Sequence, residues 1–111
     1  MNVMNIEGLN LNDSRILGVA ISAGEICFTI DYIENYDSCA SCVCLLAFKG
    51  CRSVKSSINL DVEWPDSILQ AAETCEGEWR HVVLEMNTSA STFEISCRTI
   101  QLTRLDSVPR A

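Results

Sequence analysis

The chain has 111 residues, 48% of them hydrophobic and 21% charged, and a formal net charge of −7. Its length suits a single domain, 1–111, with one core, and its composition is that of a folded rather than a disordered chain. The acidic balance argues against nucleic acid and anionic membrane as partners, since phosphate binding needs Lys and Arg to displace counterions, and it suits a basic protein partner.

Residues 1–13 read as an irregular lead-in, because five Asn or Asp residues break any regular pattern. This stretch has neither the basic start nor the apolar run of a signal peptide. No apolar run in the chain approaches the ~20 residues of a membrane helix. The expectation is a cytoplasmic, cysteine-rich protein whose seven cysteines are reduced thiols. An odd number of them cannot pair off completely.

Residues 15–22, RILGVAIS, predict a first strand with Leu17, Val19 and Ile21 on its bulkier face. Ala23-Gly24 is a hairpin connection to the strand on which the sheet is centred, 25–34. There Ile26, Phe28, Ile30 and Tyr32 alternate with Cys27, Thr29, Asp31 and Ile33, giving one buried and one mixed face. A polar loop over 35–41 leads to a third strand, 42–50, with both faces apolar for most of its length. That predicts a central strand covered on both sides.

After a basic turn, 57–64 reads as a fourth strand in which Ile58, Leu60, Val62 and Trp64 alternate with Asn59, Asp61 and Glu63. Pro65 ends it, and Asp66 is placed to cap a short helix over about 67–76. Ile68, Leu69, Ala72 and Cys75 form the apolar face of that helix, with Glu73 and Glu76 outside it and Gly77 closing it. The strand pattern resumes over 79–87. It continues over 92–104, where the apolar phase slips by one residue between Cys97 and Ile100, the mark of a bulge or bend. Residues 106–111 read as a frayed tail. The fold expected is α+β: a mainly antiparallel sheet of about six strands in meander order, with one short helix at 67–76.

Chemistry is hard to place. Cys39, Cys42, Cys44 and Cys51 cluster, and a Cys-x2-Cys pair supplies two of the four ligands of a structural zinc. Strand rise separates Cys42 and Cys44 by about 6 to 7 Å, which is stretched for one metal, and a second such pair is missing. Both also share a face with Leu46 and Phe48, so ordinary core thiols and a metal or redox module both stay open. His81 is the sole histidine and has no neighbouring motif that marks a catalytic partner; it reads as a surface or partly buried residue. The glycines are isolated, so no phosphate loop forms. An enzyme is the weakest reading, and no cofactor is expected.

The order Asn12-Asp13-Ser14-Arg15-Ile16-Leu17, then EICFTIDYI, CLLAFKGC and a later Asn59-Leu60, resembles small bacterial β-sheet domains, some of them immunity proteins that neutralise toxins by binding them. The resemblance covers residues 12–60, rests on strand spacing, and carries over no functional residue. It implies binding rather than catalysis. The function expected is a non-catalytic, acidic protein-binding domain, immunity- or inhibitor-like, with Asp31, Asp61 and Glu63 on outward strand phases meeting a basic partner. The competing function is a thiol-based metal module built on Cys39, Cys42, Cys44 and Cys51.

Overall fold

The computed structural model describes residues 11–35, 40–61 and 64–105. Eight strands run through them: β1 (Arg15–Ser22), β2 (Glu25–Asn35), β3 (Ala40–Lys49), β4 (Ser53–Ser57), β5 (Ile68–Glu76), β6 (Trp79–Met86), β7 (Thr92–Cys97) and β8 (Thr99–Arg104). They pair antiparallel into two four-stranded sheets, ordered β1-β2-β3-β8 and β4-β7-β6-β5. In the second sheet β5, β6 and β7 are consecutive neighbours, and β7 comes to lie beside β4, which a long connection joins to β5; this is Greek-key connectivity.

The sheets face each other across one core. Phe28 on β2 meets Phe48 on β3 edge-on at 5.7 Å and Phe93 of the opposite sheet at 5.1 Å. Ile26, Ile30 and Leu46 from the first sheet, and Val82, Leu84 and Ile95 from the second, are buried around them. Each such side chain contributes about 1.5–3 kcal/mol by leaving water.

The expected α+β fold is therefore corrected to an all-β one: among the described residues there is no helix. The segment expected as a helix at 67–76 is β5, whose ladder with β6 runs from Ile68↔Met86 to Glu76↔Trp79. Its apolar residues fit a helical face only because a bulge between Ile68 and Gln70 makes Leu69 an extra, exposed residue. Gly77 does take a left-handed φ of +63°, but in the tight turn between β5 and β6. The backbone demand was legible; the element was not.

Three further expectations change. The fourth strand is Ser53–Ser57, not 57–64: the ladder with β7 stops at Ser57↔Thr92, Ile58 to Leu60 continue with no partner strand among the described residues, and 62–63 lie outside them. The predicted strand 92–104 is two strands in different sheets, so the phase slip marks the chain crossing at Arg98 from one sheet to the other. That crossing packs on the one from β3 to β4, where Gly50 has φ +65° and a Cβ would stand 3.2 Å from the Arg98 side chain. β3 is interior to its sheet, yet the described residues place no element over its outward face, where Val43 and Leu45 are half-buried. The lead-in up to residue 10, the loop at 36–39 and the tail from 106 lie outside the described residues.

Candidate functional site

The inward face of β1 is where the sandwich stays open. Ile16 is buried, but a bulge follows it, and beyond the bulge Val19 pairs with Phe28 and Ile21 with Ile26. Directly opposed residues of an antiparallel pair point to the same side, so Val19 and Ile21 aim at the core face. They are nonetheless exposed, because β4, at the edge of the opposite sheet, is only five residues long. The chain after β4 carries Ile58 and Leu60, which are also exposed.

Between these walls lies an apolar cleft of about 360 Å³. Ile16, Leu17, Gly18 and Val19 line one side and Ile58 and Leu60 the other, with Trp64, Pro65 and Phe93 completing it. Exposure of the large apolar residues at its mouth runs from 44% at Val19 to 76% at Leu60. Clustering of this kind, unlike singly scattered apolar residues, marks an interaction surface.

A polar network holds the second wall in place. Asn59 donates its backbone amide to Ser91 Oγ at 2.8 Å and its side-chain amide to the Ser89 carbonyl at 3.4 Å. Its carbonyl accepts from Trp64 Nε1 at 3.0 Å, and its Oδ1 accepts from the Asp61 amide at 3.2 Å. Ser89 Oγ donates to Ser91 Oγ at 2.8 Å. Beneath them the buried Asp66 carboxylate accepts the amides of Ser67 at 2.8 Å, Ser89 at 2.8 Å and Thr88 at 3.1 Å. Burial alone pushes the Asp66 carboxyl pKa up; the hydrogen bonds from Ser89, Thr88 and Ser67 outweigh it and hold the carboxyl below its ordinary value. Asp66 is thus a cap, as its sequence position suggested, but of the 87–89 loop and not of a helix. Alternation of apolar residues through Trp64 was the only trace of this wall in the sequence.

The predicted site residues are dispersed. Asp31 sits on β2 across from Arg15, its side chain on the outward face of the first sheet and half-buried. Asp61 is exposed immediately after Leu60, at the cleft wall. Glu63 lies outside the described residues, as does Cys39.

Cys42 and Cys44 are buried beside Leu46 and Phe48, and their Sγ atoms lean to 3.3 Å apart, closer than strand rise alone sets. Cys51, at the β3–β4 corner, donates its thiol to the Phe48 carbonyl at 3.2 Å. Among the described residues no group of three or more His, Cys, Asp or Glu converges as metal ligands. Burial, with Cys51 nearby, pushes the Cys97 thiol up to about 12, and burial with the Glu25 carboxylate pushes Cys27 up to about 11.

Two arrangements had no signal that sequence reasoning used. On the outward face of the second sheet His81 Nδ1 is 3.0 Å from Ser96 Oγ, and its Nε2 is 3.8 Å from Glu94. The types are those of a nucleophile, base and acid, but Ser96 is buried and the carboxylate stands beyond hydrogen-bond reach, so no nucleophile is presented. On the inward face Glu73 and Arg80 form a buried pair, Nε–Oε2 2.8 Å and Nη2–Oε1 3.2 Å. A helix over 67–76 would put Glu73 in solvent; on β5 its side chain is buried. No known protein family matches this chain, and no curated protein is found to be similar to it.

Proposed function

We propose that this chain is a non-catalytic, acidic protein-binding domain for a basic partner, with the open side of the sandwich as its recognition surface. The observation that carries the reading is the cleft between β1 and Ile58–Leu60: a cluster of exposed apolar side chains on a wall that Asn59, Ser89, Ser91 and Asp66 hold in shape. Ordering that wall before binding removes part of the entropic cost of association. The net charge of −7 and the position of Asp61 beside Leu60 supply attraction at longer range. Resemblance to small immunity proteins adds neutralisation of the partner as the use of such binding.

Native mass spectrometry of the protein purified gently from its source tests this. A co-purifying basic chain is expected, held less well as salt rises and released by Leu60→Asp or Asp61→Lys. A mass increment of bound zinc without a partner chain would replace this reading with the thiol-metal one.

A further inference from the structure

We infer that the free edge of β1 receives an extended strand of the basic partner, which continues the first sheet and fills the cleft with alternate side chains. This rests on the proposed binding function and names its mode.

The ladder register decides which groups are offered. Ser22 and Glu25 close the Ala23–Gly24 turn, and hydrogen-bonded and non-hydrogen-bonded pairs alternate from there. Val19 and Ile21 are therefore non-hydrogen-bonded with respect to β2, and their N–H and C=O groups point to the free edge. At the other end of β1 the edge is used: the Ile16 amide donates to the Asp66 carbonyl and the Ser14 carbonyl accepts from the Ile68 amide. Among the described residues no strand pairs with the stretch from Leu17 to Ser22 on the side away from β2.

That stretch is also the unguarded one. Exposed edges are commonly blunted by charge or by shortness. β4 is short and carries Lys55, β5 carries Glu73 and Glu76, and β8 is short and ends at Arg104. β1 has no charged residue from Ile16 to Ser22.

Charge selects the occupant. The outward row of β1 is small (Gly18, Ala20, Ser22), so a Lys or Arg on an added strand can reach over it towards Glu25 and Asp31 on β2, two strand spacings or about 10 Å away. Glu25 lines a smaller cavity with Ile21 and Arg52 at the turn end of β1, and Asp61 follows Leu60 on the wall of the cleft. Of the nearby cations, Lys49 stands opposite Glu25 in the β2–β3 ladder, Arg15 stands opposite Asp31 at the end already bonded to Asp66–Ile68, and Arg52 lies over the Trp79 ring at 4.4 Å, so it is the excess of acid over the whole chain that favours a basic strand. A second copy of this chain would instead bring another net charge of −7 to the same edge.

The test uses isotope-labelled full-length protein and three capped octapeptides: alternating Lys-Val, alternating Glu-Val and alternating Lys-Ser. Amide exchange and chemical shifts are read by NMR. At ten times its Kd the Lys-Val peptide should slow exchange of the Val19 and Ile21 amides about tenfold, an effect lost at high salt and absent with the other two peptides. Ile21→Pro removes the edge donor without touching the β1–β2 ladder and should abolish the protection. Ile21→Lys, at a solvent-exposed position, should do the same in a chain that folds normally. Val19 and Ile21 amides already protected in the free chain would overturn the inference, with sedimentation deciding between self-coverage and a second copy. Binding of the Lys-Val peptide that shifts other amides defeats the edge mode and leaves the binding function standing. No binding of that peptide at low salt defeats both.

Discussion

Removing Glu73 should be among the most damaging single substitutions in this protein. Its carboxylate and the Arg80 guanidinium meet through two hydrogen bonds of 2.8 and 3.2 Å, with 5% and 8% of the side chains exposed. Glu73→Ala takes both of these hydrogen bonds from a buried guanidinium, and breaking such a pair from one side costs about 3–5 kcal/mol. Against a typical total stability of about 5–15 kcal/mol this is a large fraction. In urea, with a slope of roughly 1.5 kcal/mol per molar, the midpoint should fall by about 2–3 M, followed by tryptophan fluorescence and far-UV circular dichroism together. The double variant Glu73→Leu/Arg80→Met removes both charges and should lie within about 2 kcal/mol of the parent chain, because apolar side chains of similar volume replace a pair whose desolvation offsets its attraction. A loss below about 1 kcal/mol for Glu73→Ala would refute the reasoning: the pair would then behave as a solvated surface bridge.

Asp66 sets an acid limit on stability. Its folded-state pKa is lowered, so its contribution is complete above the unfolded carboxyl value near 4 and is lost as pH falls through the lower folded value; Asp66→Asn should be less stable at pH 7 by about 1.5–3 kcal/mol and show a shallower acid melting profile. Leu69→Asp should cost less than about 1 kcal/mol, since Leu69 is the exposed bulge residue of β5, whereas Ile68→Asp buries an unpaired carboxylate and should prevent folding, as thermal melts will show. Alkylation mapped by mass spectrometry should label the exposed Cys75 well ahead of the buried Cys42, Cys44 and Cys97, and replacing both Cys42 and Cys44 by Ala should cost about 1–3 kcal/mol with no sensitivity to a chelator.

What the sequence determined by itself was which residues face together. Period-two alternation located β1, β2, β3 and β6, placed Phe28, Leu46, Val82 and Leu84 on core faces, and marked Cys42 and Cys44 as buried neighbours of Phe48. It marked Gly77 as a left-handed residue, while Asp66, read as the cap of a helix, receives the amides of the 87–89 loop instead. The tertiary structure alone decided what covers each face. Alternation in Ile58, Leu60 and Trp64 is the same whether or not a neighbouring strand supplies hydrogen bonds, and here the β7 ladder ends at Thr92 and leaves that segment as a cleft wall. The spacing of Ile68, Leu69, Ala72 and Cys75 satisfies a helix until β6 offers a ladder and a bulge moves Leu69 outside. A phase slip at Arg98 looks local, yet it carries the chain between sheets. Most consequentially, Val19 and Ile21 are core-facing by pattern and exposed in fact, because a side chain's direction follows from its own backbone and its burial depends on a strand distant in sequence.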